Sequence, residues 1–288
     1  MYLAITRRAG LFISACACIA AEAWANDAAP LDGGVVSTGL CADAYVLALV
    51  PRTQIRALSW QVDHPVSAAP DWARELPTAS ASVEGLLRLD PGLAVFSPGE
   101  GQRAGPMLER VGRQVASLIW GEDFAAVQAN LRRLGQAAGL EAAAEAQIEA
   151  LDRRLAGLRE RNEARSARPR IAYLSASGGS AGQGTYVDAA ITAAGGINVM
   201  ATAGASGWTR SDPELALGLE ADILLTSFFT DGYAGRLSRA RYHSAYDRLL
   251  ESALRIDIPA GYWPCAGPRL IDAAEVIADA IDRWEAVQ

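Results

Sequence analysis

Between Glu141 and Arg165 the chain reads EAAAEAQIEALDRRLAGLRERNEAR, without proline and with one glycine, Gly157. Almost every residue in it is a strong helix former. Ile148, Leu151, Leu155 and Leu158 recur at spacings of three and four, laying one narrow apolar stripe along a charged cylinder. At 1.5 Å rise per residue such a helix spans roughly 37 Å, about the width of a small domain. A coiled-coil seam needs several more heptads than this run supplies. Short apolar segments alternating with helical ones lie on either side. The run therefore predicts a stiff strut over residues 141–168, joining an N-terminal lobe (26–140) to a C-terminal lobe (169–288).

The alternation is specific enough to draw a plan. Strands are expected at Val35–Ser37, Ile55–Trp60, Leu93–Ser97 and Val115–Trp120, with helices after each, and a proline-rich excursion from Gln61 to Pro77. The second half repeats the scheme, with strands at Arg170–Ser175, Ile197–Met200, Asp222–Ser227 and Leu254–Ile258 and a closing helix from Leu270 to Trp284. Val83–Val95 and Pro213–Leu224 parallel each other as short, acidic-capped helices running into an apolar strand. The fold class that follows is α/β: two doubly wound parallel-sheet lobes, one long linking helix and a cleft between the lobes.

Residues 1–25 read as an export signal. Arg7 and Arg8 precede an apolar run from Ala9 to Ala21, and Ala23-Trp24-Ala25 fits a small-x-small cleavage site. Ile13-Ser14-Ala15-Cys16 offers a lipoprotein anchor at Cys16 as the alternative. Export removes Cys16 and Cys18, leaving Cys41 and Cys265 in an oxidising compartment, 224 positions apart. Two separate buried thiols are the favoured reading, a bridge pinning the lobes the other. All 26 basic residues are arginine, the net charge is −7, and that balance argues against nucleic acid as a partner.

Ligands of parallel sheets bind beyond the carboxyl ends of the strands. The loops expected there collect Trp60, Trp120, Phe228 and Trp263, with Trp208 in a neighbouring loop, in a chain of only 7% aromatics. Each tryptophan alone is most simply a core edge; several at loop mouths suggest a flat apolar ligand held between lobes. Arg103, Arg210 and Arg269 near the cleft suit an anionic planar one. The glycine-rich loops Gly99–Gly105 and Gly178–Gly184 follow strands and precede helices, and Glu122 lies about twenty residues beyond the first, as a ribose-binding acid would. Neither has dinucleotide spacing, and turn glycines are the better account. His64 and His243 are too few for a three-imidazole metal cage, so no intrinsic cofactor or metal is expected.

Taken as a set, Ser37-Thr38-Gly39-Leu40-Cys41-Ala42-Asp43, Ala57–Pro65, Val83–Val95, the strut and Tyr262–Arg269 resemble the periplasmic substrate-binding proteins for cobalamin, haem and ferric siderophores that feed ABC importers. The resemblance covers nearly the whole exported chain. It implies two lobes with little hinge motion, a binder rather than an enzyme, a monomer, a periplasmic location, and an ABC permease as partner. It carries ligand contact onto Trp60, His64, Trp208 and Trp263, and permease docking onto Glu84 and, one place off register at Pro213, Glu214. The implied ligand is a cobalamin-like corrinoid, a metal chelate or another planar anionic cofactor such as haem, a ferric siderophore or PQQ. His64 stands where corrinoid binders often carry tyrosine. An exported enzyme on the same scaffold and a structural module are the readings from other classes.

Overall fold

The computed structural model describes residues 31–175, 178–210, 218, 220–227, 248, 251 and 253–288. The export segment, Glu214, Phe228 and His243 lie outside the described residues, as does most of the second copy of the internal similarity.

In the N-terminal half, β1 (Val35–Ser37), α1 (Leu40–Leu49), β2 (Ile55–Ser59), α2 (Asp71–Arg74), β3 (Thr78–Ala79), α3 (Val83–Leu89), β4 (Leu93–Phe96), α4 (Ala104–Arg110), β5 (Gln114–Ser117) and α5 (Phe124–Ala138) follow one another. Their strands form a parallel sheet in the order β3-β2-β1-β4-β5. Successive side chains of a strand point to opposite faces. Val35, Leu93 and Val95 accordingly enter one buried cluster, while Val36, Ala94 and Phe96 enter another with Leu86 and Leu108. Both faces are covered, which is what a purely parallel sheet requires.

The strut is α6 (Glu141–Glu163). Ala144, Ile148, Leu151 and Leu158 are buried along it, and Gly139 in the left-handed region ends α5 just before it. The second half continues with β6 (Arg170–Ser175), β7 (Gly179–Ala181), α7 (Tyr186–Ala193), β8 (Ile197–Asn198), α8 (Val199–Thr202), β9 (Trp208–Arg210), β10 (Ile223–Ser227), β11 (Leu254–Asp257) and, closing the chain, α9 (Leu270–Glu285). A four-stranded sheet runs β11-β10-β6-β8 with parallel pairings. The pair β7-β9 is antiparallel and separate; loops were expected at both segments. The main buried cluster passes without interruption from Val35 and Leu131 through Ile148 and Leu158 to Ile171 and Ile277, so the strut is a shared wall of both lobes.

Polar contacts fasten the strut at both ends. Toward the N-terminal half, Arg132 pairs with Glu145 at 2.8 Å and the Gln147 side chain donates to the Ala48 carbonyl. Toward the C-terminal half, Arg154 meets Asp272 and Glu275, and Arg161 meets Asp279 and Asp282, all on α9. Arg165, its side chain only 5% exposed, donates to the carbonyls of Ala194 and Ala278 as well as to Asp282.

One expectation is corrected. Cys41 and Cys265 are not separate thiols but a disulfide, with Cα atoms 5.4 Å apart. The first turn of α1 faces the short 3-10 turn Pro264–Ala266 across the lobe boundary, and the Tyr45 hydroxyl donates to the Ala266 carbonyl at 2.9 Å beside it. A separation of 224 positions carries no information about that proximity.

Candidate functional site

Two carboxylates organise the C-terminal edge of the N-terminal sheet. Asp43, one turn into α1, is buried and accepts from the Ser37 hydroxyl, the Ser59 hydroxyl and the Ser59 amide, the last at 2.8 Å. Burial pushes its carboxyl above the usual range, and these hydrogen bonds only partly oppose that. Glu100 accepts from Thr38 Oγ1 at 2.8 Å and the Ser97 amide at 3.2 Å. Together they stitch the ends of β1, β2 and β4 into one edge. Glu100 also argues against a phosphate in the Gly99–Gly105 loop, because it fixes a carboxylate at the head of that loop. Gly101 is required there for packing: its φ is +76°, and a Cβ would stand 2.4 Å from the Phe96 ring.

Between the lobes lies a cavity of about 470 Å³. Leu40 and Val66 face it from the N-terminal lobe; Tyr173, Tyr186, Trp208 and Trp263 face it from the other, with Ser175 and Thr209 as polar points. The rings form one connected group. Tyr186 lies 4.7 Å from Trp208 and 5.9 Å from Trp263, the latter stacked at 29°, and Tyr173 meets Trp263 edge-on at 5.9 Å. Trp263 is buried and its indole donates to Ser227 Oγ at 2.6 Å. Trp208 is half exposed, its indole donating to Glu122 Oε1 at 3.2 Å, while Glu122 Oε2 accepts from the Tyr186 amide at 3.0 Å. Glu122, in the loop after β5, thus reaches from the N-terminal lobe to hold the Trp208 ring and the backbone of Tyr186. Burial pushes the phenols of Tyr173 and Tyr186 well above their ordinary value, so both stay neutral at physiological pH.

A second cavity of about 220 Å³ lies on the far side of the contact between α1 and the Pro264 turn. Asp43 and Arg269 border it, and the Arg269 guanidinium rests 4.3 Å over the Tyr262 ring.

The residues singled out by sequence divide. Trp208 and Trp263 line the larger cavity. Trp60 and Trp120 are 65% and 72% exposed, just past the ends of β2 and β5, and do not line it. Three strand spacings separate β2 from β5, about 14 Å along the edge of the sheet. His64 is half buried, its Nδ1 accepting from the Val66 amide at 3.3 Å; it shapes the turn that sets Val66 against the cavity. Arg103, at the start of α4, and Arg210, on β9 beside Thr209, are exposed. Glu84 is exposed in the first turn of α3. Reading the sequence missed Tyr173 and Tyr186. Tyr173 shares its strand face with Ile171, and Tyr186 follows Thr185, whose hydroxyl caps α7; both patterns read as ordinary core.

No helix among the described residues is long and apolar enough to cross a membrane. No curated protein sequence matches the chain. Solved structures do. The periplasmic heme-binding protein RhuT from Roseiflexus sp. RS-1 is 23% identical, with 86% of this chain and 98% of that one covered at a TM-score of 0.66. The heme-binding protein HutB of Vibrio cholerae is 19% identical, covering 86% and 98% at 0.67. The vitamin B12-binding protein BtuF of Vibrio cholerae is 19% identical, covering 88% and 97% at 0.62. These likenesses establish the shared two-lobed fold. Residues 58–252 match the periplasmic binding protein family, and the chain belongs to it.

Proposed function

We propose that this chain is the periplasmic solute-binding component of an ABC importer, and that its interlobe cavity captures a large, flat, conjugated cofactor for delivery to the permease. A cobalamin-like corrinoid heads the candidates; haem, a ferric siderophore or a quinone cofactor such as PQQ follow. The observation that supports this most is the connected group Tyr173, Tyr186, Trp208 and Trp263 on one wall of a cavity between two lobes. Stacking on such rings is worth about 0.5–1.5 kcal/mol per pair beyond the area removed from water. Trp60 and Trp120, exposed past the ends of strands that stand about 14 Å apart in the sheet, would border a wide ligand at its two ends. The names of the solved relatives, heme-binding and vitamin B12-binding, point to the same ring size. In this reading Arg103 and Arg210, both exposed, are the cations that would meet acidic substituents of the ligand. Glu84 and, on the second lobe, Glu214 are the docking acids of this reading, and one protomer suffices for it.

Tryptophan fluorescence titrated with cyanocobalamin, haemin, a ferric siderophore and PQQ tests it. Saturable quenching at one ligand per chain by one of the four is expected. Indifference to all four would overturn the ligand class.

A further inference from the structure

The Cys41–Cys265 bridge stands where the two interlobe cavities meet. Leu40 and Pro264, the chain neighbours of its two halves, border both cavities, so the bridge and its flanks are the partition between them. The two sulfurs are not equivalent. Among the described residues Cys265 borders the larger cavity and Cys41 borders neither. Cys41 is the second residue of the ten-residue helix α1, and the positive end of that helix favours a thiolate there even with the Leu40 and Ala42 amides taken by Gln61 and Ser97. Asp43 lies in the same turn, but its carboxyl is engaged by Ser37 and Ser59. On the other side, Cys265 and Ala266 hold φ of +59° and +47°, a region that L side chains rarely adopt. The turn is kept there by its surroundings, the bridge among them.

We propose that this bridge is a thiol–disulfide exchange site opened from the ligand cavity by a vicinal dithiol, and that its state sets how the cavity holds its ligand. One thiolate of the dithiol attacks Cys265 Sγ, the S–S bond breaks, and Cys41 leaves as a thiolate that takes up a proton. The better-stabilised thiolate is the better leaving group, which directs attack to Cys265 and expulsion to Cys41. The second thiol of the reagent then displaces Cys265. The bridge has gained two electrons and two protons, and the dithiol has become a disulfide. Freed, the 264–266 turn relaxes from its left-handed pair, Trp263 loses its fixed anchor at the cavity wall, and the partition gives way. Tyr45, bonded to the Ala266 carbonyl, keeps the lobes together. A ligand in the larger cavity would cover Cys265, so occupancy and reduction oppose each other, and by linkage each weakens the other by the same factor.

The half concerning affinity rests on the cavity being the ligand site; the half concerning exchange does not. Both are read on the full exported chain. Without ligand, dithiothreitol should open the bridge under native conditions, shifting the near-ultraviolet dichroism of Trp263 while the far-ultraviolet spectrum holds. Brief treatment of the bridged protein with reduced glutathione, quenched by acid and alkylation, should place glutathione on Cys265 and the alkyl label on Cys41, read by peptide mass spectrometry. A bridge that yields only when the protein unfolds, or glutathione found on Cys41, would overturn the exchange site. With haemin or cyanocobalamin, whichever quenches, reduction should weaken binding about tenfold, and saturating ligand should shift the equilibrium with dithiothreitol toward the intact bridge by a like factor. The Cys41→Ser/Cys265→Ser variant should bind as the reduced protein does. Equal affinity in both states would overturn the coupling. If neither probe binds, the functional reading fails while the ligand-free arms still decide the exchange site.

Discussion

Glu122 spends both carboxylate oxygens across the lobe boundary, on the Tyr186 amide and the Trp208 indole. Its worth is therefore concentrated in ring orientation. Glu122→Ala should lower ligand affinity roughly tenfold, since losing one such bond costs about 1–3 kcal/mol where a donor is left unpaired. Glu122→Gln keeps one acceptor and should fall between; titration by fluorescence checks both. Asp43 gives a prediction of opposite character. Its native pKa is raised, so the folded state favours the neutral acid. The stability it contributes is full below the unfolded carboxyl value of about 3.9 and is lost as pH rises through the native value. Asp43→Asn retains an acceptor for the Ser37 hydroxyl and the Ser59 amide, and should flatten this part of the pH dependence of urea midpoints. A steeper dependence in the variant would contradict the assignment.

At the scale of elements, α6 and its junction with α9 carry contacts of very different value. Arg153 and Glu149 pair with more than two thirds of each side chain in water, and Arg153→Ala should cost no more than about 0.5 kcal/mol. Arg165 is buried against two carbonyls, and Arg165→Ala should cost about 2–4 kcal/mol by stranding them and Asp282. Urea unfolding separates the two. Burial pushes the Asp282 carboxyl up, but the bonds from Arg161 and Arg165 outweigh it and hold it below the usual range. That contribution is present above the unfolded carboxyl value and fades as pH falls through the lowered native one. The strut itself was legible because one stripe of Ile148, Leu151 and Leu158 on a charged helix has few other uses. Long parallel strands such as Arg170–Ser175 were legible as apolar runs. The β7–β9 pair was not, because Gly-Ser-Ala and Trp-Thr-Arg are too short to carry a period. The disulfide and the Glu122 clasp were not, because both join segments whose proximity only the assembled lobes create.

For the molecule as a whole, one continuous core, a salt-bridged strut, the bridge and the Glu122 clasp hold the lobes in one relation. Such a body presents a fixed cavity and a fixed outer face, so capture and delivery should separate by mutation. Charge reversal at Glu84 should impair uptake while leaving ligand affinity intact; loss of affinity would remove the docking role. The aromatic wall makes the complementary case. Calorimetric titration of Trp208→Ala beside the parent chain, with whichever of cyanocobalamin and haemin binds, tests the account most directly. Affinity at least about tenfold weaker with unchanged thermal stability is the result it predicts, the loss of one stacked, oriented ring. Affinity equal to the parent's would contradict a ligand held in the interlobe cavity.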